Sequence, residues 1–174
     1  MATITSAQSG NWSAGATWVG GVKPADDDAV VIAAGHNILM DDDLSAYTGL
    51  QTVTIQGGVT PGILYFKNGT SGYLKIRTGY NLVGTLNTNR GRLLANSDGV
   101  WGNTDNLANA YKAVIDLQGT AKIDATNLDI ALYGTNPTNK FVHCYGAKYD
   151  FDGATKVDPA NDTIDLGVTP PGVG

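Results

Sequence analysis

The run Leu74-Lys75-Ile76-Arg77-Thr78-Gly79-Tyr80-Asn81-Leu82-Val83 constrains the fold more than any other stretch of the chain. Leu74 and Ile76 alternate with Lys75 and Arg77, the two-residue period of a half-buried strand. Gly79 gives the backbone freedom for a sharp bend, and Leu82-Val83 opens a second apolar run. The unit recurs. Its first apolar residues are Val30, Val53, Leu74, Leu93, Val114 and Phe141, separated by 23, 21, 19, 21 and 27 residues. A glycine follows five residues later at Gly35, Gly58, Gly79, Gly119 and Gly146, and six later at Gly99. A second apolar run starts seven to ten residues after each anchor.

A unit of about 20 residues that cannot bury its own apolar face must stack on a neighbour. Short strands joined by glycine bends at that period predict an all-β chain. The expected form is a single-stranded right-handed parallel β-helix of about six short rungs. An ordinary β-sandwich, with turn signals every 8–12 residues, is the alternative. The composition agrees with strands and turns. All 16 acidic residues are Asp, there is no Glu, and 23 residues are Gly; Glu favours helix, whereas Asp and Gly favour turns. Ala108–Ala113 is the best short helix candidate. Gly99–Lys112 reads as an inserted loop, and Ala121–Leu132 as holding an extra strand.

The expected organisation is an N-terminal cap segment over 1–28, a β-solenoid over 29–140, terminal strands of antiparallel character over 141–166, and a Pro/Gly tail or linker over 167–174. A solenoid exposes its core at its ends and needs caps there. Trp12 and Trp18, in Ser9-Gly10-Asn11-Trp12-Ser13 and Ala16-Thr17-Trp18, suit such a plug; a carbohydrate platform made from their faces is the alternative.

The run Gly10-Asn11-Trp12-Ser13…Thr17-Trp18…Gly21-Val22-Lys23-Pro24…Asp28-Ala29-Val30-Val31-Ile32…Gly35…Asp41 resembles the start of the β-helical domain family named for its eight glycines. The resemblance covers about the first 45 residues. It departs at Asp27, where a glycine is common before the aspartate. It implies a β-helical fold of the kind found in extracellular polysaccharide-associated proteins and in phage virion proteins. Fold of this kind hosts many functions.

No catalytic or cofactor motif stands out. His36 and His143 are far apart, and with the single Cys144 they do not give the ligand spacing of a metal site. Asp26-Asp27-Asp28 and Asp41-Asp42-Asp43 are carboxylate clusters of a type that suits Ca²⁺, though solvated turn residues are the simpler reading. A glycosidase or polysaccharide lyase would need two carboxylates converging in a groove. Asp116, Asp124 and Asp129 are the candidates, with Arg77, Arg90 and Arg92 as basic partners. An adhesin or carbohydrate-binding module would use Trp101, Tyr73, Tyr80 and Tyr111 along one face.

A net charge of −5 argues against a nucleic-acid partner, and no run is long and apolar enough for membrane insertion. Met1-Ala2-Thr3-Ile4-Thr5 lacks the charged and apolar regions of a signal peptide. The expectation is a non-enzymatic phage virion structural protein, made in the host cytoplasm. A capsid decoration or cementing protein comes first, then a tail-fibre or baseplate component; a bacterial cell-surface module is the alternative location. Its expected partners are itself, as a homo-oligomer with a trimer as first guess, the major capsid protein, and glycans. Trp12, Trp18, Trp101 and the bend glycines are the structural and interaction candidates.

Overall fold

The computed structural model describes residues 1–67, 70–96, 100–101, 112–124, 126–133, 141–143, 148–150 and 163–165. In chain order the strands are β1 (Thr3–Thr5), β2 (Gly10–Asn11), β3 (Ala29–Ile32), β4 (Asn37–Leu39), β5 (Val53–Ile55), β6 (Ile63–Lys67), β7 (Gly72–Ile76), β8 (Asn81–Gly84) and β9 (Leu86–Asn87). They continue with β10 (Asn89–Asn96), β11 (Val100–Trp101), β12 (Lys112–Leu117), β13 (Lys122–Asp124), β14 (Leu128–Tyr133), β15 (Phe141–His143), β16 (Lys148–Asp150) and β17 (Thr163–Asp165). A 3-10 turn at Gly15–Thr17 is the one helical element among the described residues.

The protein is all-β, and its sheets are parallel. The first sheet runs β1-β3-β5-β8-β13-β16, the second β2-β4-β6-β10-β14, and the third β7-β12-β11; β15 pairs with β17. Among the described residues β9–β10 is the single antiparallel strand pair. The chain moves from the first sheet to the second and then towards the third before it returns. We call each such excursion a pass. The second pass has no regular third strand, but the bridges Asp43↔Tyr73 and Leu50↔Ile76 carry it alongside β7.

Register explains the core. Ile4, Val30, Val53, Leu82, Ile123 and Tyr149 form one column across the first sheet. Ile38, Leu64 and Leu93 form another across the second, and Leu50, Ile76 and Leu117 a third. The side chains of Val30, Val53, Leu82, Ile38, Leu64, Leu93, Leu50, Ile76 and Leu117 are all buried in one core cluster. Burial alternates along β3, β5 and β7, so these strands give one face to the core and the other outward. A one-residue slip would turn every buried residue outward, and burying each one stabilises the fold by about 1.5–3 kcal/mol.

Several expectations are corrected. The alternative of a sandwich of antiparallel sheets does not fit parallel pairing. The six aligned anchors are not equivalent. Val30 and Val53 are register partners, but Leu93 lies in the second sheet, and Leu74 and Val114 lie in the third, one residue out of register with each other. The short spacing marked successive strands, whereas a full pass holds two or three of them; members of the first-sheet column lie 23 to 41 residues apart.

Residues 121–132 hold two strands, β13 and β14, that continue the first and second sheets. The strands after Phe141 are parallel, β16 to β13 and β15 to β17. Residues 1–28 supply β1 and β2, so the cap segment is itself a pass. Residues 112–113 of the helix candidate are strand. Gly146, Cys144, Tyr111, most of Gly99–Lys112 and the 167–174 tail lie outside the described residues.

Candidate functional site at the capped first pass

Gly10, Trp12, Ser13 and Trp18 lie in the first pass, and Asp28 and Asp41 bond back to it. After β2 the chain turns through Gly15–Thr17 and comes back across the free edge of β1. Val19 N–H donates to Thr5 O at 2.8 Å, Ala7 N–H donates to Thr17 O at 2.8 Å, and Ser6 and Trp18 form an antiparallel bridge. An open parallel edge is a template for another chain; here the chain's own return covers it. A Cβ on Gly10 would run into Thr17, so the tightness of this turn requires glycine.

Trp12 is fully buried and Trp18 is 1% exposed. Their rings meet edge to face, with centroids 5.0 Å apart and planes at 74°, a geometry worth about 0.5–1.5 kcal/mol beyond the area it buries. The Trp18 indole N–H donates to the Trp12 carbonyl at 2.8 Å. The pair therefore fills the end of the core and offers no open ring face to a sugar.

The two aspartate triplets act as staples. Asp28 is 7% exposed and accepts from Ala2 N–H at 2.7 Å and Ala25 N–H at 3.0 Å. Asp26 accepts from the Thr48 hydroxyl at 2.5 Å, the Thr48 amide at 3.0 Å and the Gly49 amide at 3.0 Å. Asp27 pairs with Arg77. Three consecutive carboxylates thus reach the first, second and third passes.

In the other triplet, Asp41 accepts from the Ser13 amide at 2.9 Å and its hydroxyl at 2.8 Å. Asp42 binds Lys23 at 2.6 Å, and Asp43 accepts from Ser45 N–H at 2.9 Å. The hydrogen bond from the Thr48 hydroxyl, helped by the two amides, holds the Asp26 carboxyl below its ordinary range, and the Asp42 hydrogen bond raises Lys23. For Ca²⁺ the carboxylates would have to converge; they turn instead to separate protein donors. Among the described residues no group of three His, Cys or Asp side chains is placed to hold a metal ion.

His36, Asp116 and Asp124 are also engaged by the chain. His36 Nδ1 lies 2.8 Å from Ser6 Oγ, which accepts from Ala33 N–H at 2.9 Å; Ser6 is 3% exposed. Asp116, equally buried, accepts from the Tyr73 hydroxyl at 2.7 Å and from the Gln118 amide. Asp124 accepts from Thr126 N–H at 3.1 Å, and the Thr126 side chain holds its carboxyl below the ordinary range.

Asp129 faces Arg90 at 3.8 Å. Arg77 lies 5.7 Å over the Tyr80 ring, and Tyr80 packs against the core. Lys75 donates to Ser45 O at 3.1 Å, so Lys75 and Arg77 serve the stack itself. His143 and Trp101 lie in β15 and β11. Arg92 is the register partner of both Ile63 and Asp129.

Gly35, Gly79 and Gly119 have positive φ. Gly58 is not among the left-handed glycines; a Cβ there would meet the Ala34 Cβ at 3.0 Å. Sequence reasoning missed Ser13 and Thr48 as partners of the aspartates. A signal for the first exists. Ser13 and Asp41 are 28 residues apart, the offset of the register pairs Gly10↔Ile38 and Asn11↔Leu39.

Comparison with known protein families, with curated proteins and with solved structures found no match.

Proposed function

We propose that the chain is a non-enzymatic structural protein of a phage particle, a capsid decoration or cementing protein, built as a right-handed parallel β-helix of about six rungs. The observation that carries this reading is the use of the reactive side chains. Asp26, Asp27 and Asp28 each tie a different pass to the stack, and Asp41 ties the first pass to the second. Ser13, Trp12, Trp18, Asp28 and Asp41, the pattern residues of the eight-glycine family, serve the cap. Such a chain invests its chemistry in a rigid, end-capped scaffold. Its partners are then the major capsid protein and further copies of itself, as a trimer, and its location is the virion after synthesis in the host cytoplasm.

The test is quantitative mass spectrometry of purified particles. The expected result is this chain in fixed ratio to the major capsid protein. A ratio matching the few copies of a tail would move the assignment to a fibre or baseplate. Its absence from particles, with glycan binding lost on Trp101→Ala, would favour a surface module. Glycan cleavage lost on Asp116→Asn or Asp124→Asn would favour an enzyme.

A further inference from the structure

The outer face of the first sheet carries two columns of residues. One runs Thr5, Val31, Thr54, Val83, Asp124 and Asp150 in register. The other stands two residues back along each strand, with Thr3 and Ala29 at the capped end and Asn81, Lys122 and Lys148 at the far end. The inward residues between the columns, Val30, Val53, Leu82 and Ile123, are buried. The first column keeps part of its surface open from Thr5 to Asp124, and so does Lys122. Towards the cap the face is made of small or β-branched residues; at the far end it is charged. There the register sets Lys122 beside Lys148 and Asp124 beside Asp150. Neighbouring passes lie about 4.8 Å apart, and like charges set side by side repel. The chain thus stacks a lysine column next to an aspartate column, about 6.6 Å away along the strand.

We propose that this face is a self-association surface: it meets the same face of a second copy, with the two stacks parallel and in register, so that the lysine column of one copy faces the aspartate column of the other. Charge selects the occupant. Lys122 and Lys148 then come to the second copy's Asp124 and Asp150, and the small residues nearer the cap let the two sheets approach. Antiparallel stacks would set the charged end against threonines and leave both columns unmatched. Every copy offers one column of each sign, so the contact closes on itself about an axis parallel to the stack, as it must in the trimer proposed above. Asp124 keeps its hydrogen bond from Thr126 N–H, because a carboxylate has lone pairs for several donors. Strands of three or four residues make a small face, so association grows with concentration. This surface rests on the self-association proposed above and not on the phage shell.

The test is analytical ultracentrifugation of the full chain over a range of concentrations. The parent should form a closed oligomer. One variant carries Lys122→Asp and Lys148→Asp, and another carries Asp124→Lys and Asp150→Lys. Each should associate at least about tenfold more weakly, because like charges then meet across the contact. Mixed one to one, the two should associate again. Thr54→Arg leaves the four charges in place and should also separate the copies; it carries the test if the charge variants do not fold. A parent that is monomeric at every concentration, a Thr54→Arg variant that assembles like the parent, or folded charge variants that do not associate when mixed would overturn the surface. A monomer that still binds phage shells would overturn this surface alone, whereas an oligomer that binds none would overturn the shell reading alone.

Discussion

Asp27 holds a left-handed backbone, φ 67°, while its carboxylate pairs with Arg77 fifty residues along the chain. This is the position where the eight-glycine pattern commonly has glycine. Left-handed backbone costs an L-residue roughly 1–2 kcal/mol, and Asp bears it better than most. Asp27→Gly should therefore leave stability within about 1 kcal/mol, as relief of the backbone offsets loss of the partly exposed ion pair. Asp27→Val, branched and uncharged, should destabilise by more than about 1 kcal/mol. Urea unfolding of the two variants checks both, and a Val variant as stable as the Gly variant would contradict the assignment.

Trp12→Ala should destabilise by about 3–5 kcal/mol, the cost of removing a large buried aromatic. Trp18→Phe keeps an aromatic ring but leaves the Trp12 carbonyl without its indole donor, and should lose about 1–3 kcal/mol. Chemical denaturation measures both. Small effects at both sites would mean that the pair does not plug the core.

Gly79 has φ +84° and open space where a Cβ would sit. Gly79→Ala should then destabilise through the backbone alone, by roughly 1–2 kcal/mol. Gly72 shows the opposite case. It lies in β7, and a Cβ there would press on the Met40 backbone. Gly72→Ala should be worse than Gly79→Ala because buried backbone must move. The order of the two melting temperatures is the check.

The pH dependence has two ends. Asp26 is lowered from its ordinary 3.8 by the Thr48 hydroxyl first, so its contribution is present above that value and is lost as pH falls through the folded value beneath it. Lys23 is raised from 10.5 by its hydrogen bond to Asp42. Its contribution is present below 10.5 and is lost as pH rises through the folded value above it. Melting curves of Asp26→Asn and Lys23→Met should show the first variant less sensitive to acid and the second less sensitive to alkali than the parent. Curves parallel to the parent in either variant would contradict the assigned contacts.

The all-β class was readable because alternation in runs such as Val53-Thr54-Ile55 and Leu74-Lys75-Ile76 reports burial of one face. Gly35, Gly79 and Gly119 were readable because left-handed backbone favours glycine. Register was not. The offset between neighbouring passes changes with each loop, so Leu74 and Leu93 looked equivalent while lying in different sheets. Trp12 and Trp18 stood out as bulky residues among small ones, and their burial follows from that contrast. The aspartate staples were hidden because a carboxylate in a turn looks the same whether it meets water or the Ser13 amide. Only the stacking of passes brings residues 28 apart into contact.

The proposed role of this stapled stack is docking on the shell of a phage particle. Its most direct test is co-sedimentation of the purified protein with shells that lack it, across a range of concentrations. The expected result is saturable binding at a fixed ratio to the major capsid protein. Protein that stays in the supernatant at every concentration would contradict the claim.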